Sequence, residues 1–205
     1  MVLDYLKHMD LARDLENKIK QKIVGRIATD NDNSLVMACF AGIYGDHLEI
    51  GSLHGGSAIL VALLKQELGL PGQVVCIDPL DGYYTGTKFS SDRDPITKIP
   101  VCREVIDENV RIFGLEGRIE IIQKKSDPFP IKNRRFTSSY IDGNHWGDYP
   151  QLDWENVKEV TDKLVIFDNC DKGHPSVLDA CQIAAFSDNW FPCHRQGIVS
   201  VFERF

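Results

Sequence analysis

The stretch Glu49-Ile-Gly-Ser-Leu-His-Gly-Gly-Ser57 restricts the fold of this chain more than any other. An acidic residue sits in an apolar run (Leu48, Ile50), and glycines follow within a short loop. A helical pattern with Ile59, Leu60, Leu63, Leu64 and Leu68 then begins at once. A strand, a tight glycine-bearing turn and a helix N-terminus in that order let a backbone approach a nucleotide-like ligand closely. The next strand-like run, Val74-Val75-Cys76-Ile77, stops at Asp78. A carboxylate there suits a ribose diol, because it accepts from both hydroxyls at once. The plain alternative for the loop is a tight turn that holds no ligand.

The same alternation continues along the chain. Strand patterns fall at 47–50, 74–77, 119–122, about 137–141, 163–167, 190–194 and 198–203. Helical patterns fall at 56–68, 101–113, near 150–160 and 176–186, with Gly69, Pro71-Gly72 and Gly114 as stops. The last two strands are separated by Gln196-Gly197 and are close enough to form a hairpin. This order predicts an α/β protein with a doubly wound, mostly parallel seven-stranded sheet and an antiparallel C-terminal hairpin, a Rossmann-like arrangement. Residues 1–25 carry apolar positions at helical spacing (Leu6, Met9, Leu15, Ile19, Ile23) and read as one or two amphipathic helices. The polar run 29–33 reads as a cap for a short helix over Leu35–Ala41. Residues 1–34 are thus an N-terminal helical extension and 35–205 the main domain. An exposed apolar stripe on the extension makes a homodimer one reading of it. Asp81 to Ile99 is too polar for a regular element and too long for an ordinary connection. With Tyr83, Tyr84, Lys88, Phe89 and Arg93, it reads either as a substrate lid or as a mobile loop.

Composition narrows the function classes. Apolar residues at 43% and charged residues at 26% of 205 suit one globular enzyme-sized domain. A formal charge of −7 argues against a nucleic-acid partner. The local basic group Lys124, Lys125, Lys132, Arg134 and Arg135 reads as a solvated surface. No apolar run has the length of a membrane span and the N-terminus is not built like a signal peptide. The six cysteines lack zinc-type spacing and sit largely in apolar runs, as reduced thiols of a cytoplasmic protein would.

In a doubly wound sheet the ligand lies at the carboxyl ends of the strands. Here those ends are Glu49–Ser57, Asp78, Lys124–Asp127, Asp142–His145 and Asp168-Asn169, and all are polar. No Gly-Lys-Ser/Thr follows the glycine loop, so it is not a P-loop. Leu53 stands where a dinucleotide fingerprint needs its second glycine, and its side chain obstructs a pyrophosphate. A less anionic group, such as a methionine moiety, fits better.

The loop resembles motif I of class I S-adenosylmethionine-dependent methyltransferases, in the form found in catechol-type and sugar O-methyltransferases. That resemblance covers roughly residues 35–205. It implies S-adenosylmethionine as cofactor, with Gly51 and Gly55 along its amino-acid end and Glu49, Ser52 and Ser57 nearby. Asp78 would take the ribose hydroxyls, and Ser126-Asp127 would contact the adenine. Tyr140-Ile-Asp142-Gly-Asn-His145-Trp146 and Ile166-Phe-Asp168-Asn169 are similar to the metal-dependent members. The resemblance makes Asp142, Asp168 and Asn169 ligands of one divalent cation. Three oxygen donors on adjacent strand ends also suit Mg2+ on chemical grounds.

The implied reaction moves a methyl group to a hydroxyl of a small sugar or phenolic acceptor, with His145 as general base and Asp142 beside the cofactor and cation. Plainer readings stand beside each residue. Asp168-Asn169 can start a turn ahead of Lys172-Gly173, His145 can be a turn or surface residue, and Asp142 can cap the following helix. Trp146 is a candidate wall of the acceptor site. The absence of an Asn/Asp-Pro-Pro-Tyr motif after strand four speaks against nitrogen as acceptor. A non-catalytic cofactor-binding or partner module is the alternative from another class. Such a module has no use for Asp142, His145, Asp168 and Asn169 together.

Overall fold

Short strands largely buried on both faces form the centre of this protein. A computed structural model describes residues 5–27, 32–84, 88 and 90–205. Its elements run α1 (Met9–Lys20), α2 (Asn33–Ala41), β1 (His47–Ile50), α3 (Gly56–Glu67), β2 (Val74–Ile77), α4 (Arg103–Ile112) and β3 (Ile119–Ile122). They continue with β4 (Phe136–Ile141), α5 (Tyr149–Val160), β5 (Thr161–Phe167), α6 (Pro175–Ala185), β6 (Trp190–Gln196) and β7 (Val199–Arg204). The sheet order is β3-β2-β1-β4-β5-β7-β6, parallel except where β7 runs antiparallel to both β5 and β6. This is the expected doubly wound sheet with its C-terminal hairpin. Its strand order reverses between β1 and β4.

Helices cover both faces because every central strand needs an apolar cover. On one side α1, α2 and α3 share a core with Cys76, Tyr140, Leu164 and Val201. On the other, Trp154 and Val157 of α5 and Val177 and Ala180 of α6 pack on Leu48, Val75, Val165 and Phe202. All nine residues of α2 are buried, as befits a helix that is apolar all round. The apolar stripe of α1 faces inward, with Ala12, Leu15 and Ile19 in that same core rather than open to solvent.

Two helix ends differ from the sequence expectation for identifiable reasons. Helix α2 starts at Asn33 instead of Leu35, and the expected side-chain cap does not form. Asp32 precedes the helix, but its carboxylate pairs with Arg13 at 2.9 Å. The remainder of that polar run, 29–31, lies outside the described residues. Helix α4 starts at Arg103 because Cys102 is extended, with φ of −150°, and bridges Asp81. All six cysteines are free thiols.

His47 makes the core sensitive to acid. Its ring is wholly buried on β1, Nδ1 donates to the Ser138 hydroxyl at 2.8 Å, and that hydroxyl donates to the Ala41 carbonyl. Among the described residues Nε2 has no partner. Burial, and secondarily the nearby Lys65 charge, push the imidazole down to about 3. A depressed folded-state value means that the contribution is complete above the unfolded pKa of about 6.5 and is lost as pH falls toward 3. Stability should fall by up to about 1.4 kcal/mol per pH unit in that window. Urea midpoints measured from pH 7 to 4.5 should be flatter in His47→Met than in the parent. Equal slopes would exclude this residue as the source.

Candidate active site

The sheet register puts the chemistry at one edge. Ile50 pairs with Ile77 and Ile141, Ile77 with Ile122, and Ile141 with Phe167, so these strands end level. The ladder then runs one residue further. Gly51 N–H donates to Ile77 O, Asp78 N–H to Ile122 O, Asp142 N–H to Ile50 O and Asp168 N–H to Ile141 O. Those bonds hold Asp78, Asp142 and Asp168 side by side beyond the strand ends. The cavity there has a volume of about 360 Å3 and spans the reversal between β1 and β4, the place where open α/β sheets take ligands.

On the β2 side, Asp78 pins the glycine loop. One carboxylate oxygen accepts from the Ser52 and Leu53 N–H groups at 2.7 and 3.3 Å, and the other from Leu80 N–H at 2.8 Å. Burial raises this carboxyl despite those donors. Gly51 has φ of +83°, and a Cβ there would stand 2.3 Å from the Asp142 carbonyl oxygen. Gly55 turns the chain into α3 with φ of +80°. Glu49 lies behind the wall and accepts from the Ser57 hydroxyl at 2.5 Å. Burial pushes its carboxyl up to about 8, and among the described residues its Oε2 has no partner.

On the β4–β5 side, Asp142 and Asp168 stand side by side on the cavity wall. Burial raises both carboxyls, and the charge of Asp142 raises Asp168 further. Nε2 of His145 lies 3.2 Å from Asp142 Oδ1, and Nδ1 lies 2.9 Å from the Tyr84 hydroxyl. Burial lowers the imidazole and favours its neutral form. With Nε2 donating to the Asp142 carboxylate, Nδ1 becomes the acceptor and the Tyr84 O–H donates to it. Carboxylate, imidazole and hydroxyl then stand in the order that activates an oxygen nucleophile.

Of the residues expected from sequence, Gly51, Ser52, Ser57, Asp78, Ser126, Asp142, His145, Asp168 and Asn169 line this one cavity. Glu49 and Gly55 support the wall from behind, and Asp127 is not on it. Asn169 takes φ of +53°, a turn conformation at the end of β5. Trp146 is not on the wall; its ring lies 6.4 Å from that of His174. Tyr83 and Tyr84 of the long loop do line the cavity, whereas Phe89 lies outside the described residues. Two members of the basic group are in ion pairs, Arg134 on Asp46 and Glu120 and Arg135 on Asp162. Lys125 alone of that group reaches the cavity.

Sequence reasoning passed over Arg26 and His174. Both line the cavity, and the His174 ring stands edge-on to His145 at 5.1 Å, with Nδ1 3.2 Å from Asp171. Neither belongs to a strand end, so the topological rule could not select them. Among the described residues, no three His, Cys, Asp or Glu side chains are grouped to hold a metal. The Asp142–Asp168 pair, with an unpartnered buried Asp168 Oδ1 and the Asn169 amide on the same wall, has the hard oxygen chemistry that a divalent cation takes.

No curated protein matches the sequence. Several solved structures resemble it at low identity. The O-methyltransferase NovP is 14% identical, with 98% of this chain and 99% of that one covered at a TM-score of 0.67. The Bacillus cereus O-methyltransferase in complex with SAH is also 14% identical, with 96% and 90% covered at 0.62. A Geobacter sulfurreducens methyltransferase is 15% identical, with 96% and 88% covered at 0.59. At such identities the likeness is one of fold. A family model described as a methyltransferase domain matches residues 48–170. The matched span runs from β1 to just past β5 and includes all the strand ends that form the cavity, and the chain belongs to that methyltransferase-domain family.

Proposed function

We propose that this protein transfers a methyl group from S-adenosylmethionine to a hydroxyl of a small sugar or phenolic acceptor, with Mg2+ assisting. One observation carries the reading. A single cavity joins the loop that Asp78 pins to an Asp142–His145–hydroxyl series. A cofactor-binding module needs the first half of that cavity and gains nothing from the second.

The residues divide the work by position. Gly51 and Ser52 offer close backbone approach to the methionine end of the donor, Asp78 has lone pairs left for ribose hydroxyls, and Ser126 lies toward the adenine. Glu49 acts through Ser57, which it orients. When bound, S-adenosylmethionine supplies a methyl group on a positively charged sulfur, so the acceptor oxygen must only be deprotonated and aligned. Neutral His145 takes that proton on Nδ1, the atom that accepts from Tyr84 here, and ionised Asp142 steadies the resulting imidazolium. An acceptor hydroxyl therefore takes the place of the Tyr84 hydroxyl. Asp142, Asp168 and Asn169 would hold Mg2+, which lowers the pKa of an acceptor hydroxyl.

The test is transfer of labelled methyl groups from S-adenosylmethionine to a panel of phenols and sugars, with and without EDTA. Turnover is expected, falling at least about tenfold in EDTA and returning with Mg2+. Undiminished turnover in EDTA would leave the acid–base residues to act without a cation. Donor binding without transfer to any hydroxyl would favour the non-catalytic module.

A further inference from the structure

We propose that Arg26 binds the α-carboxylate of the methyl donor, held there by a strap of residues 24–27 that closes over the glycine loop. This inference rests on S-adenosylmethionine being the donor. The methionine end of that molecule carries a carboxylate, and the cavity wall is otherwise acidic: Asp78, Asp81, Asp142 and Asp168 all lie on it. Arg26 and Lys125 are the only lysine or arginine residues among the described residues of that wall. Lys125 follows β3, at the far edge of the sheet, next to Ser126. Arg26 lies beside the glycine loop, with its backbone N–H on the His54 ring and its side chain on the cavity wall. A carboxylate seated between β1 and β4 therefore meets Arg26 and not Lys125.

The strap is built onto the loop rather than draped across it. Asn109 of α4 clamps residue 24 from both sides, accepting from Val24 N–H at 2.8 Å and donating to Val24 O at 2.9 Å. The same amide donates to His54 O, which ties the strap to the glycine loop through one side chain. Arg26 N–H donates to His54 Nδ1 at 3.3 Å. Gly25 has φ of +106° and lies so near the His54 ring that a Cβ would fall 2.4 Å from it. Gly56 in turn has room only for hydrogen, because a Cβ would come within 2.9 Å of the Ile27 Cα. Three contacts with residues 54–56 thus set the height of the Arg26 backbone over the donor site.

A second device sets the guanidinium. Nε and Nη2 form a fork on Asp94 at 3.0 and 3.1 Å, and Asp94 is fully buried. Thr97 holds Asp94 in turn through its N–H at 2.9 Å and its hydroxyl at 2.7 Å. Burying such a pair is costly, and its use is to fix orientation. Arg26 is on the cavity wall and Asp94 is not. The fork fixes the plane of the guanidinium at the wall, and a carboxylate is the group that such a plane reads best.

The experiment compares S-adenosylmethionine with decarboxylated S-adenosylmethionine, which lacks only the carboxylate. Dissociation constants are measured by calorimetry for the parent, Arg26→Gln and Arg26→Lys. The parent should prefer the carboxylated donor by roughly 30- to 100-fold, and Arg26→Gln should bind the two donors within about threefold of one another. Arg26→Lys keeps the charge without the fork and should retain an intermediate preference; it carries the comparison if Arg26→Gln does not fold. Equal weakening of both donors would make the strap a structural element only, and an unchanged preference would also overturn the assignment. Parent protein that binds both donors alike refutes the carboxylate site alone. Parent protein that binds neither refutes the donor reading and this site with it.

Discussion

Replacing His145 with alanine should reduce methyl transfer by roughly 10^2- to 10^4-fold, the range that a positioned general base supplies. Affinity for S-adenosylhomocysteine should stay within about threefold of the parent, because a retained donor site keeps its free energy to within a fraction of the 1.4 kcal/mol that a tenfold change represents. The split follows from geometry. His145 bonds to Asp142 through Nε2 and to Tyr84 through Nδ1, and neither ring nitrogen reaches the glycine loop or Asp78. Removing the ring takes away the proton acceptor and leaves the pinned loop intact. Asp142→Asn should follow the same pattern with a comparable loss, since the amide neither fixes the tautomer of His145 nor offsets a positive ring. Steady-state rates beside calorimetry separate the two effects. Transfer that survives His145→Ala at parent level would remove His145 from the chemistry and leave the cation to activate the hydroxyl.

Gly51→Ala should be the most damaging substitution for fold and site together. The added Cβ would fall 2.3 Å from the Asp142 carbonyl oxygen and 2.8 Å from the Gly143 Cα, both backbone atoms of the neighbouring strand end. Side-chain rotation offers no relief. The β1 and β4 ends must separate, which breaks the Asp142 N–H bond to Ile50 O and shifts Asp142 away from His145. The left-handed φ of +83° adds its own cost of about 1 kcal/mol. Together they should cost about 3 kcal/mol or more, about 6–12 °C in Tm for a chain of this size. Donor binding should vanish with it. Gly69→Ala is the control, because Gly69 shares a positive φ of +65° but has nothing within 4 Å of its Cβ position. If both variants melt alike, strain at φ accounts for the loss and the close approach of β1 and β4 does not.

Most of the fold could be read locally. Strands β1, β2 and β3 fall where their apolar runs end at Gly51, Asp78 and the residues after Ile122, and helix α3 starts behind its glycines. These are signals of neighbouring residues, and burial on both faces reinforced rather than opposed them. The differences arose where a residue found a distant partner, through its side chain or its backbone. Asp32 caps nothing because Arg13 is close to it, and Cys102 is extended because Asp81 pairs with it. Neither partner is within helical reach in the sequence.

For the candidate site, the chain's own order is enough to name the residues on strand ends, since a strand that stops at Asp or Gly carries that residue to the sheet edge whatever surrounds it. Sequence order therefore placed Gly51, Asp78, Asp142, His145, Asp168 and Asn169 on one edge of an α/β sheet. Only the tertiary structure decided how they divide: Glu49 and Gly55 behind the wall, Asp142 and Asp168 together on it, His145 between Asp142 and Tyr84. It also brought in Arg26, which is held at the glycine loop by His54 and Asp94, 28 and 68 positions away, and by Asn109 through Val24. Periodicity acts over a few residues and so determines elements. Side-chain pairing across a folded sheet acts over a few ångströms, and it alone determines which atoms face the ligand.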